Sequence, residues 1–159
     1  MSVILLAIGV LLLTIVFVLI TWNRVGREES KGHIDLKIGG EELKLEVADT
    51  PALRSRGLMG RSSLGQNGGV LFVFDQSGIY PFWMKNTLIP LDIIWLDEKG
   101  QIVYMKENAE PCSGIVDAIC RAILPGKIAR YVIELNGGMV EKLGLQTGDL
   151  IELPKGDTH

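Results

Sequence analysis

The fold of this chain is decided by the stretch FWMKNTLIPLDIIWLD, residues 82–97. Its second half, LDIIWL at residues 91–96, is apolar except for Asp92, so both faces of a strand formed there would be buried. Pro90 has no backbone N–H for a strand ladder and separates this strand from one predicted at residues 80–86. Strands that are apolar on both faces predict a sheet that is covered on both sides or curled onto itself.

The rest of the chain extends this β-rich pattern. Two alternating runs on either side of Gly39-Gly40 predict a hairpin. Further strands are predicted at residues 68–75, 101–106, 129–135 and 149–153.

Two short helices are predicted among these strands. The first starts at Pro51, is capped by Asp49 or Thr50, and ends at Gly57. The second is capped by Asn136, extends over residues 139–143 and ends at Gly144. We therefore expect a mainly β fold, namely a compact β-barrel or sandwich-like domain with two short helices and about eight strands.

The N-terminal segment has a different character. The first charged side chain is Arg24, and residues 3–20 are apolar apart from Gly9 and Thr14. About 20 helical residues span the hydrocarbon layer of a bilayer, and Trp22 suits the headgroup zone. The alternative is a secretory signal peptide that is later removed. We predict an anchor that contacts the bilayer through residues 3–22, and three parts in all: a transmembrane anchor at 1–22, a linker at 23–32 and a soluble β-rich domain at 33–159.

Two signals disagree about the side of the membrane on which the domain lies. The basic residues Arg24, Arg27 and Lys31 follow the apolar run, which favours the cytoplasm. Cys112 and Cys120 are spaced C-x7-C, and we predict a disulfide between them, a bond that persists outside the reducing cytosol. Two reduced thiols, or a reactive or metal-binding cysteine, are the alternatives. We expect an extracytoplasmic domain and leave the topology open.

Charge and histidine content exclude several function classes. The formal net charge is −3, so the basic surface that nucleic-acid binding requires is missing. The two histidines, His33 and His159, lie near the ends of the domain, and the cysteine spacing differs from that of zinc sites. We therefore expect no metal and no cofactor. A histidine-assisted nucleophile has no good candidate, so we assign no catalytic residue and do not favour an enzyme.

Three polar residues, Lys85, Asn86 and Thr87, interrupt the apolar side chains of the opening stretch. In one interpretation the strand leaves the core there, and Lys85 extends over Trp83 with its ammonium group in water. In the other, the three polar residues line a pocket at the sheet rim that is floored by Trp83 and Met84, because binding pockets join apolar walls to a few fixed polar groups.

Arg54, Arg56 and Arg61 surround the turn at residues 57–60. Guanidinium groups match carboxylate or phosphate, so these arginines and Lys85 would form an anion site unless each arginine pairs with a surface glutamate. Asp92 lies among buried residues and needs a partner, for which Lys85 or an arginine is the expected candidate in a structural ion pair. We assign ligand binding to Lys85, Asn86, Trp83, Met84, Arg56 and Asp92.

Several stretches together resemble the domain-of-unknown-function 192 family. They are VADTPALRSRGLMGR at 47–61, GVLFVFD at 69–75, FWMKNTLIPLDIIWLD at 82–97, the segment between the cysteines from 111 to 120, and YVIELNGGMVEKLGLQTGDLI at 131–151. The family signature matches Arg56, Gly57, Leu58, Met59, Phe82, Trp83, Met84, Lys85, Asn86, Pro90 and Asp92. The resemblance implies a compact, mostly β domain, often behind a signal peptide or anchor, and it implies no activity.

These observations lead to three functional hypotheses. The first is a membrane-tethered extracytoplasmic module that binds a small anionic ligand or a segment of a partner protein in the envelope. The second is an envelope enzyme in which Lys85 and Asp92 act as an acid–base pair. The third is a purely structural interaction domain without a pocket.

Overall fold

The computed structural model of the protein describes residues 13–14, 32–112 and 120–153. Over these residues, six strands and two short helices confirm the expected mainly β fold. Their bounds are β1 (His33–Ile38), β2 (Glu41–Ala48), α1 (Pro51–Arg56), β3 (Gly68–Gly78), β4 (Leu91–Leu96), β5 (Ile102–Ala109), β6 (Ala129–Asn136) and α2 (Met139–Leu143).

The six strands form one sheet in the order β1-β2-β3-β6-β4-β5. β2 and β3 run parallel, and the other neighbouring strands run antiparallel. Within the described ranges this sheet is open, with β1 and β5 at its edges, so the expected barrel or sandwich is wrong. The physical reason is that α1 packs on one face and α2 on the other, so that strands apolar on both sides are covered without a second sheet.

Alternate residues of the central strands contribute to two separate apolar cores. We call the two sides of the sheet the α1 face and the α2 face, after the helix that packs on each. The core on the α1 face includes Leu53, Phe72, Trp95 and Val132. The core on the α2 face includes Leu71, Ile94, Ile133 and Val140. This division explains the apolar opening stretch, because every residue of β4 is buried.

The segment 80–86 differs from its prediction as a strand. It makes isolated bridges, such as that between Phe82 and Ile123, and joins no ladder of the described sheet. Pro81 has no N–H to donate, and Asn86 adopts a left-handed backbone with φ of 55°. The segment therefore packs against the core on the α1 face instead of extending the sheet.

Other local predictions have mixed outcomes. The hairpin between β1 and β2 turns at Gly39-Gly40 as expected. The α1 helix is also confirmed, since the side chain of Thr50 accepts a hydrogen bond from the N–H of Leu53 at 3.2 Å. Residues 149–153 are not a strand, because their pairing is the single bridge from Leu150 to Gln101.

The predicted anchor at residues 1–22 and linker at 23–32 lie outside the described residues, apart from Leu13, Thr14 and Gly32. Within the part of the chain that the structure describes, no helix has the length and apolar content needed to cross a membrane.

Candidate functional site

A cavity of about 340 Å³ opens on the α1 face of the sheet. It lies between α1 with its following turn, β3 with the residues after it, and β6. Its aromatic lining consists of Phe72, Phe74, Tyr80, Phe82 and Trp83. Arg54 and Arg56 contribute guanidinium groups to the lining, and Glu134 contributes a carboxyl group. This combination of apolar walls and a few polar groups is typical of small-molecule sites.

The aromatic wall is held in place by ring contacts and one hydrogen bond from Trp95. Phe74 and Tyr80 are stacked with their centroids 3.5 Å apart. Phe82 packs edge-to-face against Phe72 at 4.9 Å and against the fully buried Trp95 at 5.5 Å. The indole Nε1 of Trp95 donates to the carbonyl of Tyr80 at 2.8 Å. The wall is therefore fixed by the core before any ligand arrives.

Glu134 lies at the floor of this cavity, near the C-terminal end of β6. It is opposite Val70 of β3 and Ile93 of β4, so its side chain projects from the α1 face. The residue is 4% exposed, and its Oε2 atom has no hydrogen-bond partner among the described residues. Burial raises the pKa of Glu134 from 4.5 to about 8, so the carboxyl is mainly protonated at neutral pH.

The turn after α1 brings its backbone close to this carboxyl group. Gly57 ends the helix with φ of 44°, a conformation that favours glycine. A Cβ atom at Gly57 would lie 3.3 Å from the Phe72 ring and 3.6 Å from Oε2 of Glu134. This turn, which contains RGLM at residues 56–59 and which we call the RGLM turn, leaves space beside the acid that a larger residue would fill.

The three arginines around this turn have different roles. Arg61 forms two hydrogen bonds of 2.5 Å with the carboxylate of Glu46, and this pairing lowers the pKa of Glu46. Arg56 is exposed and lines the cavity. Arg54 also lines it, while its guanidinium donates to the backbone carbonyls of Asp49 and Val73 at 2.6 and 2.8 Å. The predicted three-arginine cluster is therefore divided, and Arg61 follows the alternative of pairing with a glutamate.

The FWMKNT segment, residues 82–87, forms backbone hydrogen bonds with two neighbouring segments. The carbonyl of Asn86 accepts from the N–H of Gly60 at 2.8 Å, and its N–H donates to the carbonyl of Cys112 at 2.9 Å. Cys112 is bonded to Cys120, with Cα atoms 5.8 Å apart, which confirms the predicted disulfide. Asn86 thus links the RGLM turn to the cysteine segment.

The other members of the predicted site separate into groups. Trp83, which is 51% exposed, and the buried Thr87 line the cavity. Met84 is buried in the core of the α1 face. The ammonium of Lys85 lies 5.9 Å from the centroid of the Trp83 ring, as in the first interpretation of the polar trio. Of the polar trio, Thr87 is the member that lines the observed cavity. Its floor is formed by Glu134, whereas the second interpretation placed Trp83 and Met84 there.

Asp92 belongs to the opposite side of the sheet. Its fully buried carboxylate accepts from the N–H of Val140 at 2.6 Å and from the N–H of Asn108 at 2.8 Å. It thereby stabilises the start of α2, where the predicted cap was Asn136 and the observed N-cap is Gly138. These backbone amides take the place of the expected ion pair with Lys85 or an arginine. Because both oxygens are buried and bonded, Asp92 cannot act on a substrate with Lys85.

Comparison with known proteins gives a family for this domain. The family described as Uncharacterized ACR, COG1430, which is domain-of-unknown-function family 192, matches residues 34–153. The chain belongs to this family. The expected resemblance is therefore confirmed, and the match includes α1, the RGLM turn, the FWMKNT segment and Glu134.

Relatives of this DUF192 protein include archaeal and bacterial proteins. UPF0127 proteins of Thermococcus gammatolerans and Thermococcus kodakarensis are 34% and 32% identical over 67% and 68% of the chain. The matches span 64% and 63% of those relatives' own lengths.

Two crystal structures are also similar to this chain. One is a candidate transcription regulator from Sinorhizobium meliloti, with 34% identity, a TM-score of 0.66, and coverage of 76% of this chain and 91% of that one. The other is a protein of unknown function from Novosphingobium aromaticivorans, with 30% identity, a TM-score of 0.67, and coverage of 76% and 85%.

Glu134 is the site residue that the sequence reasoning missed. It lies in YVIELN, between Ile133 and Leu135, in a strand with apolar residues on both faces. A strand buried on both faces has no exposed position for a carboxylate, so a glutamate between its apolar residues must be buried. That pattern was the available signal.

Proposed function

We propose that this protein is a binding module for a small organic anion, tethered to a membrane with its β-rich domain outside the cytoplasm. The observation that carries the ligand class is the lining of the cavity, in which aromatic walls meet two guanidinium groups. The carboxyl group in the same cavity is mainly protonated at neutral pH and does not repel an anion. Arg54 is paired with Asp75 at 3.9 Å, so Arg56 supplies the positive charge at the cavity although the chain as a whole is acidic.

Arg56 is the proposed anchor for the charged end of the ligand. It is exposed at the cavity, whereas Arg54 already donates to two backbone carbonyls. A planar guanidinium can form two parallel hydrogen bonds with a carboxylate or phosphate. Trp83 and the other aromatic rings would enclose the apolar body of the ligand.

Binding is favoured over catalysis because of the residues that meet in the cavity. Its lining combines aromatic and small residues with two arginines and a single carboxyl group, and the proposed acid–base pair of Lys85 and Asp92 is not assembled. A segment of an envelope protein with an acidic end is the second candidate occupant, and its anchoring at Arg56 would use the same chemistry.

Two separate observations support the proposed location at a membrane, outside the cytoplasm. Residues 3–20 form an apolar run long enough to span a bilayer. The disulfide between Cys112 and Cys120 favours an oxidising compartment. Protease added to intact spheroplasts should digest the domain while a cytoplasmic control protein survives, and full protection of the domain until lysis would refute this orientation.

The ligand class is tested with two probes of one shape. The full-length protein in nonionic detergent is titrated with 4-isopropylbenzoate and with 4-isopropylbenzamide, and binding is followed by ligand-observed NMR. The benzoate should bind more tightly than the amide, and Arg56→Gln should remove that difference. Arg121→Gln is the matched control, since Arg121 is an exposed arginine outside the cavity lining. Equal binding of the two probes, or binding of neither, would show that the cavity is not an anion site.

A further inference from the structure

Glu134 has features that the binding of an anion at Arg56 does not explain. Its Oε2 atom is buried without a hydrogen-bond partner among the described residues, and it faces an open cavity and not packed side chains alone. A buried polar atom without a partner is costly, so in a native structure it requires an explanation, such as a water, an ion or a ligand that completes its hydrogen bonds.

We propose that Glu134 binds the inner end of the ligand by donating its carboxylic O–H to an uncharged oxygen acceptor, such as a ketone, ester or amide carbonyl. This inference rests on the proposed function, because it uses the same cavity with Arg56 at its outer end. The ligand is then an organic anion with an apolar body and a carbonyl oxygen at the end remote from its charge. Retention of the proton by Glu134 becomes a condition for binding.

The surroundings of Glu134 support a donor that is neutral and fixed. β3 and β4 place Val70 and Ile93 directly beside it, and the turn after α1 places Gly57 against Oε2. Such apolar neighbours disfavour the ionised carboxylate. Burial accordingly raises the pKa of this carboxyl to about 8.

Several other charged or polar groups surround the cavity. α1 contributes the guanidinium groups of Arg54 and Arg56, and Arg54 is paired with the carboxylate of Asp75 on β3 at 3.9 Å. Tyr80, from the segment after β3, donates its hydroxyl to the carbonyl of Gln76. On β2, Glu46 lies in the same row across the sheet but is separated from Glu134 by β3 and is paired with Arg61. Glu134 is thus the group whose ionisation would govern binding near neutral pH.

The test compares two benzoates that differ only at the end opposite the carboxylate. 4-Acetylbenzoate carries a carbonyl acceptor there, and 4-isopropylbenzoate carries an apolar group of the same shape. At pH 6 the full-length protein should prefer 4-acetylbenzoate by roughly 3- to 10-fold, the range of one net hydrogen bond. Between pH 7 and 9 its affinity for 4-acetylbenzoate should fall about tenfold as Glu134 ionises.

Two variants separate ligand binding by Glu134 from a structural role. Glu134→Gln keeps an N–H donor, so the preference for the acetyl probe should persist and should no longer depend on pH. Glu134→Met removes the donor at similar size, so the preference should reverse in favour of the isopropyl probe. A merely structural carboxyl would change the affinities of both probes together and leave their ratio unchanged.

The outcomes also distinguish this inference from the proposed function. If both benzoates bind through Arg56 but the ratio of their affinities changes neither with pH nor in the two Glu134 variants, the anion site stands and the role of Glu134 is refuted. If neither benzoate binds, the proposed function fails as well. If 4-(aminomethyl)benzoate binds more tightly than the acetyl probe as pH rises, Glu134 is a cation receptor and the inference is overturned.

Discussion

Replacing Glu134 by glutamine should change how the stability of this protein depends on pH. In the folded state, burial raises the pKa of Glu134 to about 8, whereas its ordinary value is 4.5. Between these two values the folded protein holds a proton that the unfolded chain releases. The free energy of unfolding must therefore fall as pH rises through this interval, and this contribution is fully present only below pH 4.5.

The size of the effect follows from the same interval. The slope is about 1.4 kcal/mol for each pH unit while one proton is released on unfolding. Over the whole titration the loss is about 5 kcal/mol, and the part that falls between pH 5 and 8 is roughly 3 to 4 kcal/mol. Glutamine does not titrate, so the difference in unfolding free energy between Glu134→Gln and wild type should grow by that amount from pH 5 to pH 8.

Urea unfolding of the full-length protein in nonionic detergent, at pH 5, 6, 7 and 8, measures this difference. Glu46→Gln is the matched control, because Glu46 on β2 projects from the same face of the sheet as Glu134. Arg61 lowers the pKa of Glu46, so the contribution of that carboxylate is lost only below pH 4.5 and its difference should stay flat over the range. A flat difference for Glu134→Gln as well would mean that Glu134 is ionised in the folded protein, and the account of the cavity floor would be wrong.

Three further predictions concern the groups that shape the site. Asp92→Ala leaves two buried backbone amides without an acceptor and should lower the free energy of unfolding by about 2 to 6 kcal/mol in urea; a loss under 1 kcal/mol would contradict its role at α2. Gly57→Ala should cost about 1 to 3 kcal/mol, and more than Gly60→Ala, because both have positive φ but only a Cβ at Gly57 meets a neighbour. Equal thermal shifts for the two would refute the close approach. Cys112→Ala with Cys120→Ala should cost about 2.5 kcal/mol by the chain-entropy relation, and an unchanged melting temperature would show that the bond adds no stability.

Local features of the fold could be predicted because their causes are local. The hairpin depends on Gly39-Gly40, and α1 depends on Thr50 and Pro51, which lie next to the elements they set. The strand order could not be predicted in the same way. β6 inserts between β3 and β4, and that choice depends on which apolar faces meet between residues 35 or more positions apart in the sequence. The number of strands was overestimated by two, because residues 80–86 and 149–153 make isolated bridges without joining a ladder.

The candidate site illustrates the same limit. The polar trio stands out in the sequence because it interrupts an apolar run, and the arginines stand out because they are close together. Which of these groups meet depends on contacts between segments, such as the bond from Gly60 to Asn86. Asp92 and Glu134 look alike in sequence, each a carboxylate within an apolar strand, yet they project from opposite faces of the sheet. Pairing register alone decides that one supports α2 and the other faces the cavity.

The stretches that carry the family resemblance form the walls and the supporting backbone of the cavity. The RGLM turn supplies Gly57 beside Glu134, and the FWMKNT segment supplies Trp83 and the backbone of Asn86, which joins the two. A ligand would therefore meet a framework held by backbone bonds, a disulfide and stacked rings, with few side chains free to adapt. Such a preformed site loses little conformational entropy on binding, so its selectivity should depend on the charge at its outer end and the proton at its floor.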